Sequence, residues 1–84
     1  MTTELEKLRL EADEAEKRRR MAARRVTFLE RLIYQSATVE QFDGLNEELE
    51  QAISTAKLYG LQAMRAKSAY TTADIQARYG SATT

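Results

Sequence analysis

The chain has no cysteine, no histidine, no proline and no tryptophan, and only three glycines in 84 residues. Without cysteine there is no disulfide and no thiolate metal site. Without histidine the commonest transition-metal ligand and general base is missing. Ser36, Ser54, Ser68 and Ser81 therefore have no imidazole to activate them. Glu47, Glu48 and Glu50 stand close together, but the oxygen-rich, glycine-containing loop of a calcium site is lacking, so they read as a solvated helix face. Tyr34, Tyr59, Tyr70 and Tyr79 read as seam or rim residues rather than catalytic acids. No catalytic, cofactor or metal residue is expected, and no small-molecule substrate; the chain does not read as an enzyme. No apolar run approaches the ~20 residues of a membrane span. The segment MTTELEKLRLEADEAEKRRR has no apolar stretch of the secretory kind, so the expected compartment is the cytoplasm. The formal net charge is zero, so no bulk charge draws the chain to nucleic acid or to an anionic membrane.

Scarce breakers and abundant Ala, Glu and Arg make a helical composition. Leu5, Leu8, Ala12, Ala15, Arg19, Ala22, Val26, Leu29 and Ile33 follow one another at spacings of 3 and 4. That is the period at which one stripe of a helix keeps facing a partner helix. Thr3 and Glu6 form a capping-box pattern at its start, and the helix is expected over about 3–35, roughly 50 Å at ~1.5 Å per residue. Residues 36–38 make a short turn of the kind that joins antiparallel neighbours, and Thr38-Val39-Glu40-Gln41 repeats the capping pattern. A second stripe follows at the same spacings: Phe42, Leu45, Leu49, Ala52, Ala56, Tyr59, Ala63, Ala66 and Tyr70. This second helix is expected over about 39–70, with 71–79 either a short third helix or its extension, and a frayed tail over 80–84.

The expected architecture is thus a single all-α domain over 1–84: a long, coiled-coil-like antiparallel hairpin, completed as a helical bundle by oligomerisation. Charge order supports the fold-back. Residues 4–16 are mostly acidic and 17–31 mostly basic, whereas 40–50 are acidic and 57–78 mildly basic, so folding at residue 37 sets acid beside base.

A chain this short needs a staple, and with disulfides and metals excluded the remaining one is another chain. Two helices sharing one seam leave Leu10, Met21, Phe28, Leu32, Ile53, Leu58, Leu61, Met64 and Ile75 outside it. Of these, Phe28, Leu32, Ile53, Leu58, Leu61 and Met64 are the expected apolar interaction residues, for a homodimer or for an amphipathic helix of a partner protein. Arg19 interrupts the first stripe. It either sets register or partner choice, or reaches solvent on its long stem. The run Lys17, Arg18, Arg19, Arg20, Arg24 and Arg25 is the expected basic site. It either pairs with Glu40, Asp43, Glu47, Glu48 and Glu50 on the return helix or binds phosphate, as in nucleic acid. Arg18 and Arg20 are the candidates for free cations. No aromatic residue falls within the run, which argues against a base-stacking platform.

The stretch Ala37-Thr38-Val39-Glu40-Gln41-Phe42, followed by Leu45, Glu48, Leu49 and Ala52-Ile53, resembles the turn and second-helix entry of the small hairpin co-chaperones of type III secretion, the YscE-type proteins. That resemblance implies a hairpin that joins a second chaperone to hold a needle subunit unpolymerised in the cytoplasm. This first helix looks longer and richer in Arg than the family's, and the chain continues past Tyr70. The Arg- and Ala-rich composition also resembles that of phage accessory proteins, including inhibitors of host defence. From the residues themselves, the expected function is a protein–protein interaction module: an adaptor, assembly factor, co-chaperone or inhibitor.

Overall fold

The computed structural model describes residues 3–80. Two helices account for nearly all of them: α1, Glu4–Tyr34, and α2, Val39–Tyr79. They pack against each other as a hairpin measuring 66 × 24 × 14 Å. The smallest dimension is that of a single helix with its side chains, so the molecule is one layer deep and two helices wide.

Each helix starts where the sequence supplies a cap. Thr3 Oγ1 accepts from the Glu6 N–H at 3.1 Å, and Glu4 and Glu6 occupy the first turn, near the positive end of the helix dipole. The return bond that would complete a capping box, from Thr3 N–H to the Glu6 carboxylate, is not made. Thr38 Oγ1 accepts from the Gln41 N–H at 3.1 Å, while Gln41 Oε1 accepts from Ala37 N–H, also at 3.1 Å. The second box is therefore closed one residue early, and Gln41 binds the turn as well as the helix.

The turn between the helices needs no left-handed residue, because no residue described has positive φ. Gln35 stays helical and its N–H is shared by the carbonyls of Arg31 and Leu32 at 3.2 and 3.1 Å. Ser36 donates from both its N–H and its hydroxyl to the carbonyl of Ile33, at 3.1 and 2.7 Å.

Every position of the first stripe, from Leu5 to Ile33, is buried or half-buried, with Leu29 sealed almost completely. The second stripe is likewise covered from Leu45 to Ala73, and Ala52 and Ala63 are its buried members. Phe42 departs from the pattern: although it stands on the stripe, it is 45% exposed. It lies in the first turn of α2, at the end of the shared surface.

The third helix considered for 71–79 is absent, because α2 runs through Thr71-Thr72-Ala73-Asp74 without a break. Those residues combine a capping pattern with a continuing stripe at Ala73, and the stripe prevails. Its forty-one residues make α2 about 61 Å long, against about 46 Å for α1. Its last residues accordingly pass the start of α1, and Ile75 and Tyr79 are exposed. Gly80 closes the helix with φ of −60°, so its freedom to adopt positive φ is not used there. Of the tail expected over 80–84, Gly80 instead caps α2, its N–H donating to the Gln76 carbonyl, and residues 81–84 lie outside the described residues.

Two substitutions test this packing. Leu29→Ala removes the one large side chain that is fully sealed and should lower unfolding free energy by about 2–5 kcal/mol, read by urea titration of the helical signal. Gly60→Ala should do the opposite. A methyl group there meets nothing within 4 Å, and the helix gains about 0.5–1 kcal/mol of propensity, visible as a higher urea midpoint.

Candidate interaction surfaces

Each of the four ion pairs among the described residues joins two residues of the same helix, three pairs in α1 and one in α2. Lys17 reaches Glu14 at 3.6 Å, Arg19 and Arg20 reach Glu16, and Arg78 reaches Asp74 at 3.3 Å. The expected pairing of the basic run with Glu40, Asp43, Glu47, Glu48 and Glu50 is not formed. Arg25 and Glu48 share a depression of about 190 Å³ with Ala22 and Ala52, yet no ion pair joins them. Lys17, Arg19 and Arg20 each have a carboxylate three or four residues back on α1, where Cβ atoms are about 5–6 Å apart. Arg24 and Arg25 have none at that spacing and still reach no carboxylate of α2 among the described residues.

Arg19 is tied to Glu16 by a two-pronged bond, Nε to Oε2 at 2.9 Å and Nη2 to Oε1 at 2.5 Å. Arg20 Nε approaches the same carboxylate at 3.4 Å. The bond from Arg19, reinforced by the charges of Arg19 and Arg20, holds the Glu16 carboxyl down at about 2, well below its ordinary 4.5. The same bond raises Arg19 above its usual value. Arg19 thus occupies the seam with its stem and leaves it with its head. Opposite it α2 offers Ala56 and Gly60, which line an open groove of about 460 Å³ with Arg19, Val26 and Ile53. The groove is open enough that even a Cβ added at Gly60 would meet no atom within 4 Å. The carboxylate that Arg19 bonds is on its own helix, and among the described residues Arg19 makes no ion pair or side-chain hydrogen bond to α2.

Of the two candidates for a free cation, Arg18 has no partner among the described residues, whereas Arg20 is held by Glu16. Arg24, Arg25 and Arg31 also make no ion pair or side-chain hydrogen bond among the described residues. The six apolar candidates do not form one face. Leu58, Leu61 and Met64 are each more than half exposed. At ~100° per residue they fall on the side of α2 opposite its seam. Ile53 lines the groove beside Arg19. Leu32 is half-buried near the turn, in a depression shared with Ser36, Gln41 and Leu45. Phe28 lies on the outer side of α1 and shares an open depression of about 360 Å³ with Arg24, Thr27 and Arg31.

No group of three His, Cys, Asp or Glu side chains able to hold a metal occurs among the described residues. No helix described is long and apolar enough to cross a membrane. Compared with protein-family models, curated proteins and solved structures, the chain matches none.

The Glu16 cluster makes a pH prediction. Its carboxyl is depressed in the folded chain, so its contribution is complete above about 4.5 and is lost as pH falls towards about 2. Across that window the unfolded chain binds the extra proton, so stability rises with pH. Glu16→Gln should flatten that part of the profile of urea midpoint against pH. The change should be modest, because the Arg19 and Glu16 side chains are 43% and 33% exposed and solvent screens them.

Proposed function

We propose that the chain is a cytoplasmic, non-enzymatic protein–protein interaction module, and that its docking surface is the outer stripe of α2. The observation that carries this reading is the stripe itself: Leu58, Leu61 and Met64 at intervals of three, each more than half exposed, on the side of α2 away from α1. A helix that is apolar on two opposite sides belongs between two neighbours, and α1 covers one side only.

The stripe is also nearly symmetric about Leu61. Leu58 and Met64 stand three residues to either side, and the small Ser54 and Ser68 stand seven. A two-fold axis through Leu61 would lay α2 antiparallel on a second copy of itself, Leu58 beside Met64 and Ser54 beside Ser68, an interface in which one patch meets its own likeness. The surface available fits. The chain exposes 6960 Å², whereas a compact monomer of 9.6 kDa exposes about 5,100 Å². The surplus of roughly 1,900 Å² exceeds the ~800 Å² that each partner contributes to a standard interface. The occupant is therefore taken to be a second copy. In an adaptor, an assembly factor, a co-chaperone of the type III secretion kind or an inhibitor of a host complex, a helix of another protein would use the same stripe.

Light scattering on the untagged chain over a concentration series tests this. The expected mass at high concentration is twice 9.6 kDa, and Leu61→Glu should return it to the monomer while the helical signal persists. A monomeric wild type at every concentration, or a dimer indifferent to Leu61→Glu, overturns the assignment of this stripe.

A further inference from the structure

Between Lys17 and Val39 the chain carries seven basic residues and a single carboxylate, Glu30. A net charge of zero therefore hides a strongly basic half of α1. Within it, Arg24, Phe28 and Arg31 stand at i, i+4 and i+7, which places them in one row along the helix. All three line the same open depression, floored by Ala23 and Thr27. The Thr27 hydroxyl is turned onto its own helix, donating to the Ala23 carbonyl at 3.2 Å.

The Phe28 ring is 55% exposed, and neither flanking guanidinium has a partner among the described residues. The row continues with Tyr34 at the end of α1, 94% exposed. Both aromatic residues of α1 are thus off the seam and on the same half of the helix as the basic residues. An isolated ring between two unneutralised guanidiniums has no structural use inside the hairpin, since neither Phe28 nor Tyr34 contributes to the buried seam.

We infer that the outer face of α1 from Arg24 to Tyr34 is a binding site for single-stranded nucleic acid, in which Phe28 stacks on a base and Arg24 and Arg31 hold the phosphates to either side. The chemistry is specific to that class of ligand. Arg forks match phosphate oxygens, and an exposed ring offers a π-face to any base, without reading its hydrogen-bonding edge. Arg24 and Arg31 are about 10 Å apart along the helix axis, so the ring lies between two charges rather than beside one. In a duplex the bases are already stacked and the ring would have nothing to accept. An acidic peptide would satisfy the guanidiniums and leave the ring in water. The site faces away from α2, and is therefore separate from the Leu58–Leu61–Met64 stripe; its test does not depend on whether the chain self-associates.

Fluorescence anisotropy with a labelled single-stranded poly-thymidine oligonucleotide, over a salt series, is the experiment. The wild-type chain should bind at low salt and prefer the single strand to its duplex with poly-adenosine. Phe28→Leu keeps the helix and an apolar side chain but removes the π-face, and should weaken binding about 5- to 150-fold with little change in salt slope. Arg24→Ala with Arg31→Ala should reduce that slope by about 1.4, at ~0.7 per phosphate contact on a single strand. Equal affinity for duplex or for poly-glutamate, or affinity unchanged in Phe28→Leu with helicity intact, overturns the assignment, as does absence of binding at low salt.

Discussion

Small side chains repeated every third or fourth residue hold this molecule together. Ala12, Ala15 and Ala22 on α1 and Ala52, Ala56, Ala63 and Ala66 on α2 allow two helices to approach along much of their length. The cost of that arrangement is a meagre interior, in which Leu29 is the single large side chain sealed from water among the described residues. Alanine buries little apolar surface, so the seam fixes shape more than it supplies free energy. A one-layer body has two flanks and two outer sides and nothing behind them, so almost every other feature of the protein is a surface feature.

The charges follow from the same geometry. Where an ion pair forms among the described residues, its two members stand one turn apart on the same helix rather than across the contact. Glu16 collects Arg19 and Arg20 in this way, and the acidic start of α2 is left without cross-helix partners. Ion pairing here organises each helix separately and contributes little to holding the two together.

The hairpin is legible in the sequence because spacing alone determines which residues meet: both stripes, the turn and the two threonine caps can be read from residue type and interval. Three things are not legible. A capping pattern at Thr71–Asp74 looks like a helix start, but it is overridden by the continuing stripe at Ala73. Acidic and basic blocks that face each other along the chain do not imply contact, because a one-dimensional charge order carries no information about reach. The apolar residues off the seam look like one patch as a set, but wrap around the hairpin as a structure, with Leu58, Leu61 and Met64 on one helix and Phe28 on the other. The aromatic row on α1 is in the sequence after all, but at helical rather than adjacent spacing. Phe28 lies one turn beyond Arg24, past the end of the contiguous basic run.

The alanine seam also governs how such a chain can change over generations. Positions on the seam accept few replacements, since anything larger pushes the helices apart. The outer positions are held by nothing within the chain itself, and substitutions there are usually worth less than about 0.5 kcal/mol. A lineage of these hairpins can therefore exchange most of its surface while its backbone stays in place, and descendants would share a rhythm of small residues long after they had ceased to share recognisable letters.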